Sequence, residues 1–196
     1  MSLIEQVKEL RSRTGVGYGA CKEALVQTDG DIEKAIDVLR ANGADVSLAR
    51  QERKTEQGAI GSYIHTGGQL GALVELRCET DFTAKTKEFQ EFAADLAMQV
   101  VAMDPKWIDI SDIPTEVVER EKTVLYKESV RTGKPDHIIA KIVDGRMIRF
   151  YKKFCFLHQP FIKNEDVSVQ ENLNCLVSAF GEQIVIAKYV RFQIGD

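Results

Sequence analysis

The stretch GALVELRCETDFTAKTKEFQEFAADLAMQVVAM, Gly71–Met103, changes its hydrophobic period from that of a strand to that of a helix. In its first part Leu73, Glu75 and Arg77 alternate with smaller or more apolar residues, which is the pattern of a strand with one wetter face. In its second part, from about Lys85, the apolar residues follow one helical stripe that holds Phe89, Phe92, Ala93, Leu96 and Val100. A strand that leads directly into an amphipathic helix indicates an α+β fold.

Thr80, Asp81 and Phe82 fall in the connection between this strand and this helix. A tight connection lies at the surface, so we expect these residues to project from the fold. Thr80 or Asp81 is well suited to cap the helix, because each carries a side-chain oxygen that can accept from a free N–H group. On the residues alone, Asp81 is then a helix cap and Phe82 a core residue, since burial is the commoner fate of phenylalanine.

The strand has two predicted partners in one sheet. Ala59–His65 precedes it, and the turn-forming cluster Thr66–Gln69 between the two predicts an antiparallel hairpin. Gln183–Ile194 is rich in β-branched and aromatic residues and predicts a last strand that joins the hairpin. We therefore expect a three-stranded antiparallel sheet.

Several further helices are expected to cover this sheet. Prolines at 114 and 135 each favour a helix start, the first helix running to about Thr132 and the second to Asp144. Two more helices are predicted, over Arg146–Phe154 and about Ser168–Phe180. The region after Gly58 is thus an α+β core.

The stretch TGVGYGACKEAL, Thr14–Leu25, has the glycines and the lysine of a phosphate-binding loop but not their spacing. The sixth position from Gly15 is Ala20 instead of glycine, and Lys22 is followed by glutamate. The residues before the loop repeat with a helical period, whereas a phosphate loop follows a strand. Gly15 is better explained as the residue that ends a helix.

Residues 1–43 then form a module of three short helices. The second helix stops at Thr28–Asp31, Asp31 caps the third, and Gly43 closes it. Residues 44–57 are polar and charged with little apolar periodicity, which is typical of a linker that is partly helical. The predicted domains are a docking module over 1–43, a linker over 44–57 and the α+β core over 58–196.

Composition narrows the class of partner. The chain has 196 residues and a formal net charge of −4, which disfavours bulk electrostatic binding of nucleic acid and favours a protein or small-molecule partner. The start MSLIEQVKEL resembles neither a secretory signal nor a transit peptide, and no apolar run has the length of a membrane span. We expect no direct contact with a membrane and a cytoplasmic location.

The cysteines and histidines form no recognisable catalytic or metal-binding set. Cys21, Cys78, Cys155 and Cys175 are far apart in the sequence, which favours buried thiols in a reducing compartment. The three histidines lie in separate segments, and no nucleophile elbow occurs. The residues therefore nominate no catalytic group, no metal and no cofactor.

Four stretches, taken in order, resemble the elongation factor Ts family. LRSRTGVGYGACKEAL and DGDIEKAIDVLRANGA are similar to its N-terminal module, which has the ubiquitin-associated fold of three helices. ELRCETDFTAKTKEFQEFAADLA, Glu75–Ala97, is similar to its most distinctive segment. FLHQPFIKNEDVSVQENL and FGEQIVIAKYVRFQIG resemble its C-terminal core. Four matches in register over nearly the whole chain make chance similarity unlikely.

The resemblance implies a guanine nucleotide exchange factor with no active site of its own. Such a factor binds the translational GTPase elongation factor Tu in its GDP form and promotes release of GDP, so that GTP can enter. The residues matching Thr80, Asp81 and Phe82 contact the GTPase beside its magnesium site. By this resemblance Phe82 is a wedge that enters an apolar slot, and not a core residue.

The resemblance also assigns a second contact to the N-terminal module. The loop and helix start that match Arg11–Lys22 dock onto a surface helix of the GTPase domain, and we assign this role to a set of seven residues: Arg11, Thr14, Gly15, Gly17, Tyr18, Gly19 and Lys22. Tyr18 and Gly19 depart from the family pattern, which usually has two methionines there. Tyrosine can supply contact area and a hydroxyl, whereas glycine removes a side chain.

Longer members of the family have a second core subdomain, whereas this chain has room for one and resembles the short members, in which two copies pair and their sheets join into a symmetric core. This implies a homodimer, with Cys155, Cys175 or the last strand at the interface. Two alternatives stay open. One is an adaptor with a ubiquitin-associated-like head and no effect on nucleotides, and the other is a small metabolic enzyme that uses the core, which would need a pocket with convergent polar groups.

Overall fold

The computed structural model describes residues 2–14, 16, 18–48, 50 and 52–195. Three helices come first: α1 (Leu3–Thr14), α2 (Tyr18–Gln27) and α3 (Ile32–Leu48). They enclose a small apolar core of their own, formed by Val7, Leu10, Val16, Cys21, Ala24, Leu25, Ala35 and Leu39. Asp31 caps α3 as predicted, because its carboxylate accepts from the backbone N–H of Lys34 at 3.1 Å.

The central sheet has the predicted three antiparallel strands. Strand β1 (Gln57–Ile64) and strand β2 (Leu70–Cys78) form the hairpin. Three more strands follow in the chain: β3 (Pro160–Phe161), β4 (Asn164–Ser168) and β5 (Ile184–Gln193). The sheet order is β1-β2-β5, with β2 in the centre, while β3 and β4 form a separate short hairpin that the sequence did not predict.

Helices cover one face of the sheet. After β2 come a single turn, α4 (Asp81–Ala84), and the long helix α5 (Lys87–Met103). Helix α5 lies directly on β1, since a Cβ atom at Gly61 would collide with the backbone carbonyl of Ala93. Helix α8 (Val169–Phe180) packs beside it, and the core between helices and sheet holds buried residues such as Val74, Leu76, Phe89, Leu96, Val100, Phe156 and Val177.

A helical hairpin separates α5 from the short β3–β4 hairpin. Helix α6 (Thr115–Val130) packs against α7 (Asp136–Phe154) around a small cluster of Leu125, Ile139, Val143 and Met147. The prediction of two helices, ending at Asp144 and restarting at Arg146, was wrong. Gly145 lowers helix propensity, but the apolar stripe continues across it and nothing lies within 4 Å of a Cβ atom placed there, so the helix runs through.

The N-terminal helices pack against the core through α3 and α8. Gly43 lies at this crossing, where a Cβ atom would come within 3.2 Å of the carbonyl oxygen of Asn174. Arg40 donates to the backbone oxygen of Asp166 at 3.3 Å. The prediction that Gly43 closes the third helix was wrong, because this glycine permits close packing and α3 continues to Leu48. The division into module, linker and core remains a prediction.

Two buried glutamines join α5 to the segment after α7. The Gln99 amide donates to the Oε1 of Gln159 at 3.2 Å and accepts from the N–H of Ile162 at 2.7 Å. The Gln159 amide in turn donates to the carbonyl of Lys153 at 2.9 Å. Within the described ranges, no helix has the length and apolar character that crossing a membrane requires.

Candidate partner-binding surface

The connection after β2 exposes an aromatic side chain on a single helical turn. Thr80 is the N-cap of α4, with extended backbone, and its hydroxyl accepts from the N–H of Thr83 at 3.4 Å. Thr83 and Ala84 face the interior and are buried, whereas Phe82 faces out and is 81% exposed. The local expectation of a core phenylalanine was therefore wrong, and we call Thr80–Phe82 the tip.

Asp81 has a cationic neighbour. The ammonium group of Lys85, one turn further on, donates to its carboxylate at 2.5 Å. This hydrogen bond and the charge of Lys85 lower the pKa of the Asp81 carboxyl. Asp81 is therefore an ionised, solvent-facing acceptor beside an exposed aromatic ring.

Two glutamates join the segment of the tip to the turn before β5. The Glu182 carboxylate, in the turn between α8 and β5, accepts from the Thr80 N–H at 3.0 Å, the Thr80 hydroxyl at 2.6 Å and the Thr83 hydroxyl at 2.7 Å. Partial burial alone would raise the pKa of Glu182, but the hydrogen bonds from the two threonines outweigh it and lower the pKa. In the opposite direction, Glu79 accepts from the Gln183 N–H at 2.6 Å.

Neither glutamate was found from the sequence. The predicted strand Gln183–Ile194 begins directly after Glu182, but nothing in the sequence pattern connects Glu182 with Thr80, which lies 102 positions earlier. The only available signal was that an acidic residue precedes a strand predicted to pair with β2. Because β5 does pair with β2, the turn before β5 lies beside the end of β2.

The structure places the N-terminal candidates on α1 and α2. Arg11, Tyr18 and Lys22 are exposed, Tyr18 to 49%. Thr14 is half-buried, and its hydroxyl donates to the Leu10 carbonyl at 2.8 Å and accepts from the Val16 N–H at 3.4 Å. Thr14 is thus placed to shape the turn.

The glycines of this region differ in what the structure describes. Gly15 and Gly17 lie outside the described residues. Gly19 is exposed in the first turn of α2, and a Cβ atom there would meet nothing within 4 Å. The fold of this chain therefore leaves room for a side chain at position 19.

The two histidines for which the structure shows a hydrogen-bond partner lie apart. No cluster of histidine, cysteine and acidic side chains among them has the arrangement of a metal site. His158 pairs with Asp109 at 2.9 Å and His65 contacts the Tyr63 hydroxyl at 3.2 Å, in different parts of the molecule.

A groove of about 840 Å³ lies between α3 and α8. Its lining carries charges of both signs, among them Arg13, Arg40, Lys163, Asp37 and Glu171. Among the described residues, that lining contains carboxylates that could act as general bases, such as Asp37 and Glu171, but no histidine. A projecting aromatic tip with an ionised neighbour is instead suited to contact with another macromolecule.

Comparison with known proteins places the chain among translation elongation factors. A family model described as "Elongation factor TS" matches residues 6–196, so the chain belongs to the elongation factor Ts family. It is 46% identical over 196 residues to elongation factor Ts of Syntrophomonas wolfei, covering 100% of this chain and 92% of that protein. It is 45% identical over 192 residues to elongation factor Ts of Carboxydothermus hydrogenoformans, covering 98% and 88%.

Proposed function

We propose that the chain is a guanine nucleotide exchange factor that binds elongation factor Tu in its GDP form. In this proposal it opens the nucleotide site, GDP leaves and GTP enters, and the factor itself performs no bond chemistry and needs no cofactor. Membership of the elongation factor Ts family supports the proposal. We place the protein in the cytoplasm, with a protein partner and without direct contact to nucleic acid or membrane.

The observation that carries the proposal is the exposure of Phe82. A phenylalanine that is 81% exposed contributes almost nothing to the stability of the free protein. Burying such a ring in an apolar slot of a partner is worth about 2 kcal/mol, which is then available to separate the elements that hold magnesium and phosphate. Asp81, ionised beside the ring, would compete for the polar contacts around the magnesium ion.

The N-terminal surface provides the second contact in this proposal. Arg11, Tyr18 and Lys22 are exposed and can reach a partner helix, while Thr14 sets the turn that presents them. Gly19 exposes backbone that a partner can approach closely. Gly15 and Gly17 remain proposed members of this surface.

Thermodynamic linkage sets the binding free energy that the two contacts must supply. If the factor weakens nucleotide binding, nucleotide weakens binding of the factor by the same ratio. A thousandfold acceleration of GDP release corresponds to about 4 kcal/mol off the barrier. The binding free energy of one inserted aromatic ring together with that of the docked module is of this magnitude.

The test is release of a fluorescent GDP analogue from elongation factor Tu, chased with excess unlabelled GDP, with catalytic amounts of the factor. We expect acceleration by the unmodified chain and its loss with Phe82→Ala. Tyr126→Ala is the matched control, because Tyr126 is also an exposed aromatic residue, 48% exposed, but lies on α6. Binding of elongation factor Tu without acceleration by the unmodified chain would refute exchange and favour the adaptor.

We also propose that two copies pair through the open face of the sheet. That face carries large apolar side chains that α5 does not cover: Ile60, Ile64, Leu73, Val190, Phe192 and Ile194. Ile64, Gly71 and Phe192 lie in one row across the three strands, and Leu73 and Val190 lie in the next, whereas the row of Ile60 passes through the charged Glu75 and Lys188. Cys155 is fully buried within one chain and therefore contributes nothing to such an interface.

Mass in solution tests the pairing. Light scattering after size exclusion should give twice the chain mass, and Phe192→Glu, which places a charge on a side chain 65% exposed in one copy, should give monomers. A monomeric unmodified protein would refute the dimer and leave the exchange proposal intact.

A further inference from the structure

The segment that carries the tip is too short to fix the orientation of its side chains by itself. Helix α4 is one turn of four residues, and a single turn is not stable by itself. The ring of Phe82 is largely in solvent, and Asp81 pairs with Lys85 on the same outer surface. The direction of both side chains therefore depends on what fixes the backbone below them.

The carboxylate of Glu182 makes the long-range connection. It binds the N–H and the hydroxyl of Thr80, immediately before Asp81, and the hydroxyl of Thr83, immediately after Phe82. Bonds to an ionised acceptor are the stronger and more directional kind. The two outward residues are thus bracketed by two residues tied to one carboxylate.

A reciprocal contact keeps the glutamate itself in place. Gln183, next to Glu182, donates its N–H to Glu79, which is next to Thr80. Arg53 also donates to the Glu79 carboxylate, at 3.3 Å. The ends of β2 and β5 are therefore joined by bonds running in both directions.

We propose that Glu182 is a positioning residue that fixes the direction in which Asp81 and Phe82 project. The inference rests on the proposed function for its consequence in exchange, but not for its structural part. With the tip held before the partner arrives, less conformational freedom is lost when Phe82 enters its slot. Without Glu182 the same side chains are present, but they sample many directions.

The first experiment needs no partner. Hydrogen exchange of the unmodified chain is compared with Glu182→Ala, Glu182→Gln and the control Glu165→Ala, which removes an exposed carboxylate on β4. We expect Glu182→Ala to lower protection of amides 80–85 about tenfold or more, with α5 amides unchanged. Glu182→Gln keeps one acceptor oxygen, so its protection of amides 80–85 should lie between that of Glu182→Ala and that of the unmodified chain. Glu165→Ala should show the same protection as the unmodified chain.

Two results of this experiment would overturn the proposal. One is unchanged protection at 80–85 in Glu182→Ala. The other is an equal loss of protection at 80–85 and throughout α5, since Glu182 would then support the whole core and not the tip.

The second experiment uses the GDP-release assay at saturating factor. We expect Glu182→Ala to lower the maximal rate of GDP release about tenfold, because Asp81 and Phe82 would no longer point in the required direction. The rate with Glu182→Gln should lie between that of Glu182→Ala and that of the unmodified chain. In a background that carries both Asp81→Ala and Phe82→Ala, removing Glu182 should have no further effect. Effects that multiply would show that Glu182 acts apart from these two side chains and would refute the positioning role. If the unmodified chain gives no acceleration, the exchange proposal fails, and the hydrogen-exchange result still decides the structural part.

Discussion

The tip and the N-terminal surface both present exposed residues, but they are supported over different distances along the chain. Around α1 and α2 the supporting bonds are local: Thr14 bonds to Leu10, and the Cys21 thiol donates to the Val16 carbonyl at 3.4 Å. At the tip, the decisive bonds come from Glu182, 102 positions away. The bonds named for the first surface thus come from near neighbours in the sequence, whereas those of the second bring together residues that the pairing of β2 with β5 places side by side.

The largest expected effect concerns the core that supports the tip. Gly61→Ala should lower the free energy of unfolding by about 3 kcal/mol, because its Cβ atom would collide with the backbone of Ala93 and α5 would have to move. Urea denaturation measures this. Gly145→Ala on α7 is the control, since nothing lies within 4 Å of the added atom, and it should not destabilise the protein. Equal effects of the two substitutions would contradict the close packing of α5 on β1.

The next effect is the dependence of stability on pH through Glu182. Its pKa is lowered in the folded protein, so its contribution is fully present above the ordinary value of 4.5 and is lost as the pH falls through the folded pKa. At pH 7, Glu182→Gln should cost about 1.5 kcal/mol of unfolding free energy. The difference between the two proteins should shrink below pH 4.5, whereas a constant gap would show that the charge of Glu182 is irrelevant.

A smaller effect of opposite sign is expected on the N-terminal surface. Gly19→Ala should stabilise the protein by about 0.5 kcal/mol, because alanine favours the first turn of α2 and meets no neighbour. Gly43→Ala is the matched comparison, since its Cβ atom would lie 3.2 Å from the Asn174 carbonyl. Thermal unfolding of both variants tests this, since Gly19→Ala should raise the unfolding temperature and Gly43→Ala should not. A lower unfolding temperature for Gly19→Ala would show that the added Cβ atom does meet a neighbour.

The smallest effect concerns the outer surface of the tip. Lys85→Gln should leave unfolding unchanged within error, because the pair with Asp81 is exposed. The pKa of Asp81 should nevertheless rise toward its ordinary value, since Lys85 is the main cause of its lowering. Nuclear magnetic resonance titration of the Asp81 carboxyl measures this. An unchanged pKa would mean that a group other than Lys85 stabilises the ionised carboxylate of Asp81.

Sequence periodicity predicted most of the fold. The alternation in Ala72–Cys78, the stripe of α5 and the β-branched run in β5 gave the sheet and its main helix. The predicted helix boundaries were wrong where glycine was taken to end a helix, since both Gly43 and Gly145 lie inside continuous helices. Periodicity also missed the β3–β4 hairpin, whose first strand has only two residues.

The candidate site was predictable only in part. The expectation that Thr80 or Asp81 caps the long helix was wrong, because Thr86 caps α5 and Thr80 caps the separate turn α4. The outward direction of Phe82 did not follow from the residues alone, because an apolar residue beside a helix is usually buried and only the family resemblance indicated otherwise. Glu182 could not be found, since its partner is set by the pairing of β2 with β5 and not by its neighbours in the chain.

The pairing of β2 with β5 also has a consequence for the order of events during synthesis. Residues 70–85 leave the ribosome long before Glu182 and β5 are made, and a chain is elongated at about 5–20 residues per second. During that interval β2, the centre strand of the sheet, has only β1 as its partner. The turn that carries Phe82 lacks the Glu182 carboxylate to which Thr80 and Thr83 bond in the complete chain. The helices α1–α3 enclose an apolar core of their own that needs no later part of the chain, so the growing chain can acquire its first surface well before its second. A nascent chain that stops short of Glu182 would carry the sequence of the tip without its structure.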